Sequence, residues 1–178
     1  ESVIVIGESA FNGCTNLKSI NLPDSLMSID QYAFAATGLV DVIIPESALT
    51  IQEGAFSQCQ SLQSVQLPEG MTRLYSDVFS GCSALSSIDI PSGVTVIDNR
   101  AFYGCTSLNG ITLPDNLLEI GYQVFANCTS LTHISLPNGL EYLDGTFAGC
   151  TALSSIRLPS GIQWMNGGFS GCISLTSL

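Results

Sequence analysis

The residues best equipped for chemistry in this chain are seven cysteines, one histidine and the hydroxyls and carboxylates that could serve it. His133, with Ser135 or Ser155 and Asp89, supplies the members of a Ser/His/Asp set, in which the imidazole takes a hydroxyl proton and the carboxylate orients the ring. No G-x-S-x-G turn is present to present such a serine. The cysteines form no C-x-x-C pair and no Cys/His cluster at zinc spacing, so a metal is not expected. Calcium loops of the D-x-D-x-D-G type and glycine-rich phosphate cradles are also missing, and no cofactor is expected. Asn127-Cys128-Thr129 reads as an N-glycosylation sequon, with access expected to be restricted by Cys128.

What must position these residues is a repeat. Phe11, Phe34, Phe56, Phe79, Phe102, Phe125, Phe147 and Phe169 follow one another at 22 or 23 residues. Pro23, Pro45, Pro68, Pro91, Pro114, Pro137 and Pro159 form a second column that uses every proline in the chain. The cysteines are a third: Cys14, Cys59, Cys82, Cys105, Cys128, Cys150 and Cys172, with Thr37 in the vacant place. Periodicity of this length is the signature of a stacked array, because one unit alone cannot bury its apolar face.

Within a unit, the alternation Leu-x-x-Ile-x-Leu (Leu108, Ile111, Leu113) reads as a half-buried strand. Proline directly after it removes a ladder donor and ends it. A second, shorter strand follows, as at Leu117 and Ile120. The few residues before each phenylalanine are expected to make a single helical turn, being too few for a stable helix. Stacked in register, the cysteines should form a buried ladder of reduced thiols acting as small hydrophobes. Parallel Cα–Cβ vectors one strand apart do not suit a disulfide. Asp89 then falls two coils from His133, roughly 10 Å away, which counts against catalysis. The expected protein is not an enzyme.

Charged residues make up only 11% of the chain, and four basic against fifteen acidic side chains give a net charge of −11. Such a surface cannot neutralise a run of phosphates, so nucleic acid and anionic membranes are poor partners, and no nucleic-acid binding or membrane insertion is expected. No apolar stretch approaches the ~20 residues of a membrane-spanning helix.

The phrases Ala10-Phe11-Asn12-Gly13-Cys14-Thr15-Asn16-Leu17, Ala101-Phe102-Tyr103-Gly104-Cys105-Thr106-Ser107-Leu108 and Phe147-Ala148-Gly149-Cys150-Thr151-Ala152-Leu153 resemble the BspA-type leucine-rich repeats over essentially the whole chain. The resemblance implies a curved, right-handed leucine-rich repeat solenoid of parallel β-sheet coils with short second strands and single helical turns. It also implies an extracellular or cell-surface protein, adhesin-like, that binds host or matrix proteins. Residues 1–178 are expected to be a single domain of about eight repeats, a piece of a longer array cut within a repeat at both ends. The apolar strips at Ile4/Ile6 and Leu175/Leu178 should then be incompletely covered, with end-to-end self-association as the consequence.

Two surfaces are left for a partner. The outward residues of the first strand, among them Asp89, Thr112, His133, Ser135 and Arg157, combine acid, hydroxyls, imidazole and base on one rigid face. A protein or glycan suits that face better than a small metabolite, since nothing closes a deep pocket. The second surface lies five residues after each proline and places Tyr142 beside Trp164, where exposed aromatics could anchor a partner. The alternative function is an accessory or spacer domain of a larger protein.

Overall fold

The computed structural model describes residues 3–178. We number the coils 1 to 8 by their phenylalanines, from Phe11 to Phe169. The six phenylalanines from Phe34 to Phe147 are fully buried, and all eight stack with nearly parallel rings at centroid separations of 5.2–5.8 Å. Each offset-stacked pair adds about 0.5–1.5 kcal/mol beyond area burial. Leucine, isoleucine and valine columns from the two strands complete a single continuous core.

The element order is β1 (Val5–Ile6), β2 (Ser28–Ile29), β3 (Asp41–Ile43), β4 (Thr50–Ile51), β5 (Ser64–Gln66), β6 (Arg73–Leu74), β7 (Val96–Ile97) and β8 (Glu119–Ile120). All pairings are parallel, as the repeat requires. The first strand of the unit pairs as β3–β5 and continues as isolated bridges at Thr112/Ser135 and Ser155/Ser177. The second strand is paired in more coils, as β1–β2–β4 and β6–β7–β8, and then as a bridge between Tyr142 and Trp164. The proline that ends each first strand contributes no N–H, which shortens that ladder.

The expected helical turns are absent; no helix occurs among the described residues. The reason lies in two backbone columns of positive φ, two residues before and two after each phenylalanine. Gly54 and Gln58 flank Phe56 at φ 61° and 59°, and Arg100 and Gly104 flank Phe102 at 57° and 70°. These left-handed positions flatten the segment, so alternate N–H groups point out of the coil. Gly54, Phe56 and Gln58 donate to Ser76, Val78 and Ser80 of the next coil at 2.7–3.0 Å. Between them, Ala55, Ser57 and Cys59 donate back three residues within their own coil. A helix would turn every N–H inward and leave adjacent coils without this third ladder.

The cysteine column is more than filler. Cys59, Cys82, Cys105, Cys128, Cys150 and Cys172 each donate Sγ–H to a phenylalanine carbonyl one coil earlier at 3.1–3.2 Å, as Cys105 does to Phe79. That carbonyl also accepts the N–H of the column residue in its own coil, Cys82 on Phe79 for example and Thr37 on Phe34. A thiol therefore occupies the second lone pair of a buried acceptor. All seven thiols are free, five of them buried; Cys14 is exposed and Cys172 half-buried, each having a neighbouring coil on one side only within this chain. Burial pushes the Cys82, Cys105 and Cys128 thiols well above the ordinary range, and that of Cys150 up to about 12.

Thr37 meets Cys59 Sγ at 3.2 Å and carries the hydrogen-bonded column through coil 2. The turn there is one residue short, and Gly38 closes it, since a Cβ would collide with the carbonyl oxygen of Thr15. At the two ends of the chain, Ile4 is 56% and Leu178 67% exposed and Leu175 half-buried, whereas Ile6, expected to be uncovered, is buried beneath coil 2.

Candidate interaction surfaces

On the first-strand face, the outward residues Asp89, Thr112, His133, Ser135 and Arg157 are all exposed, while the alternate residues Ile88, Ile111, Ile134 and Ile156 are buried. Asp89, Thr112, His133 and Ser135 line one open groove of about 480 Å³, together with Asp115. Arg157 stands on the rim of the adjoining hollow, which shares Ser135. The structure thus brings four of the five residues together and sets the fifth one coil further on.

His133 owes its position to two neighbours. Its Nδ1 lies 3.0 Å from the Thr132 hydroxyl. The ring extends over Gly110 of coil 6, the one outward position of this run with no side chain, leaving the imidazole edge open to the groove. Among the described residues no hydrogen bond joins it to Ser135, Ser155 or Asp89, so the members of the imagined triad are not assembled.

Further along the same face, Asp41, Glu46, Glu69 and Asp89 surround a wider hollow of about 820 Å³ with Ile43 exposed among them. The Asp41 carboxylate accepts the Ser64 hydroxyl at 2.6 Å and Glu46 accepts the N–H of Glu69 at 2.9 Å. These acids therefore tie coil to coil. Among the described residues, neither their carboxylates nor any others form a cluster able to hold a metal ion.

The second surface has the predicted register. Ser28 pairs with Thr50, Arg73 with Val96, Val96 with Glu119, and Tyr142 with Trp164. Tyr142 and Trp164 are 56% and 58% exposed, so they do not fold down over the edge of the solenoid. Sequence reasoning missed Leu118, exposed beside them. It also missed Glu141, which with Glu119 and Tyr142 borders a groove of about 530 Å³. Asn127 of the sequon is exposed although Cys128 is buried, because the left-handed turn at φ 62° aims it outward. No helix among the described residues is long and apolar enough to cross a membrane.

Coils joined by parallel ladders, a phenylalanine stack and a cysteine column define a leucine-rich repeat solenoid. The model of the BspA type leucine rich repeat region matches it in six copies, over residues 1–107 and 73–178. The chain belongs to that family. A leucine-rich repeat protein from Bacteroides ovatus is similar at 29% identity and a TM-score of 0.76, over 99% of this chain and 58% of that one. A Treponema pallidum leucine rich repeat protein reaches 32% identity and a TM-score of 0.82, over 87% of this chain and 76% of that one. A leucine rich cell surface protein from Faecalibacterium prausnitzii reaches 28% and 0.66, over 97% of this chain and 50% of that one. The chain thus spans little more than half of the Bacteroides protein. No curated protein matches it.

Proposed function

We propose that this chain is a non-enzymatic interaction module of a cell-surface or secreted protein, and that a protein or glycan partner docks on its first-strand face. The observation that carries this is the shared groove of Asp89, Thr112, His133 and Ser135, dented over Gly110, with Arg157 at its rim. Mixed donors and acceptors in an open groove on a rigid parallel scaffold suit a broad partner. A surface location is supported by the Faecalibacterium relative, described as a cell surface protein. Affinity from so open a face is modest unless several coils engage together.

The test compares His133→Ala/Arg157→Ala with the intact chain against a panel of matrix proteins and glycans. The proposal expects a ligand whose binding weakens in that variant and persists in Tyr142→Ala/Trp164→Ala. The opposite pattern moves the site to the second surface, and no binding by the intact chain leaves it a spacer.

A further inference from the structure

Coils 4 and 5 carry two clusters of arginine, aromatic ring and carboxylate, one on the second surface at Arg73 and one beside it on the phenylalanine segment at Arg100. Arg73 donates from Nε and Nη2 to the two oxygens of Asp98, each at 2.7 Å, with its guanidinium 5.6 Å from the Tyr75 ring centroid. Arg100 lies 4.6 Å over Tyr103, with Nε 3.5 Å from Asp77. Planar guanidinium suits this double role, stacking on a ring while its edge bonds a carboxylate.

Coils 6 to 8 carry the same parts without the arginine. Tyr142 and Trp164 stand side by side on the ladder, both more than half exposed. Glu119 and Glu141 border the groove that Tyr142 walls, which Asp98, Gly121 and Gly139 also line. Neither carboxylate makes an ion pair among the described residues. No base of the chain bonds them: Arg73, two coils along the same ladder and within reach of the Glu119 charge, is held by Asp98, Arg100 is in its own cluster, Lys18 is in coil 2, and Arg157 is on the other face.

We propose that this surface receives an arginine-bearing segment of a protein partner, whose guanidinium stacks on Tyr142 or Trp164 while Glu119 or Glu141 accepts its N–H groups. The molecule's own Arg73 and Arg100 clusters show the geometry that the incoming residue reproduces. A neutral glycan would use the rings and leave both carboxylates uncompensated, whereas a cationic segment is also drawn in by the net charge of −11. This surface is distinct from the groove around His133 and goes beyond the reading given for it.

Trp164 is the only tryptophan, so its emission reports this surface directly. The probe is a short amidated peptide alternating arginine and glycine, with its citrulline counterpart as the uncharged control. The arginine peptide should shift Trp164 emission saturably, and the citrulline peptide and neutral oligosaccharides should not. Tyr142→Ala, which leaves the charge unchanged, should weaken binding roughly two- to fivefold, the loss of one exposed cation–π contact. Glu119→Gln/Glu141→Gln should weaken it further. His133→Ala should have no effect, and thermal melting should show each variant folded. Equal binding by Tyr142→Ala would overturn the proposal in favour of diffuse attraction to an acidic chain. Equal responses to citrulline or oligosaccharide would overturn it in favour of a neutral ligand, and binding with no change in Trp164 emission would place the peptide elsewhere.

Discussion

The imidazole of His133 lies over Gly110 of the preceding coil, so that a Cβ at Gly110 would come within 3.3 Å of both Cε1 and Nε2. A side chain there has to share the space with the ring. Gly110→Val should therefore push the imidazole out of the groove while leaving the buried Ile111 and Ile134 untouched. His133 is the sole histidine, so its ring NMR signals identify it without assignment. They should shift in Gly110→Val, and binding at the first-strand face should fall as far as in His133→Ala. Unmoved ring signals would mean that Gly110 does not hold the pocket open.

The thiol column makes a second prediction. Cys105→Ala removes a buried sulfur and the donor to the Phe79 carbonyl, and should cost about 1–2 kcal/mol as a small cavity. Cys105→Ser leaves a similar gap and keeps a donor, so denaturant melts should find it at least as stable as the alanine variant. A serine variant clearly less stable than alanine would show that the sulfur acts by volume alone.

Alkali should unfold the protein steeply. Burial holds the thiols of Cys82, Cys105, Cys128 and Cys150 above their unfolded values, so the folded state binds the extra protons once the pH passes the ordinary thiol range near 8.5. Their stabilising contribution is complete below that pH and is lost as pH rises toward the folded values, about 12 for Cys150. Each such thiol lowers stability by about 1.4 kcal/mol per pH unit in the window. Denaturation midpoints at successive pH values from neutral upward should fall with a slope that Cys82→Ala/Cys105→Ala reduces by two thiols' worth. A slope unchanged in that variant would show that the thiols ionise without opposing the fold.

The columns of phenylalanine, proline and cysteine made the solenoid legible, because stacking puts like residues on like and a period survives loop changes such as the short turn at Gly38. The segment before each phenylalanine was misread as a helical turn because its length permits one. Its left-handed positions are glycine in Gly54, Gly81 and Gly104 but Tyr32, Ala36, Gln58 and Arg100 elsewhere, which hides the column. Side-chain packing explains the mixture: Tyr32 lies over Gly54, Gln58 over Gly81 and Asn127 over Gly149, each filling space its glycine neighbour leaves. The register of Tyr142 with Trp164 followed from the proline column. The groove beside them did not, since Leu118 and Glu141 occupy a column that holds Met27, Leu49, Thr72 and Thr95 in other coils and signals nothing by itself.

Coil 7 departs from the repeat at Thr146, in a column otherwise held by alanine, valine or glycine. The threonine is fully buried and its hydroxyl has no hydrogen-bond partner. Its carbonyl is occupied, accepting the N–H of Phe125 at 2.9 Å, so only the side chain is unsatisfied. An unpaired buried hydroxyl costs about 1–3 kcal/mol. Valine has nearly the same shape, replaces the hydroxyl by a methyl, and already occupies the equivalent places at Val78 and Val124, both fully buried. Thr146→Val should therefore raise stability by about 1 kcal/mol or more, read as a higher denaturant midpoint at unchanged slope. The reciprocal change Val124→Thr buries a second hydroxyl one coil away and should lower stability by a similar amount. If Thr146→Val is neutral or destabilising, the hydroxyl has found a partner such as a buried water, and the same measurement on Thr146→Ala distinguishes that loss from a simple cavity.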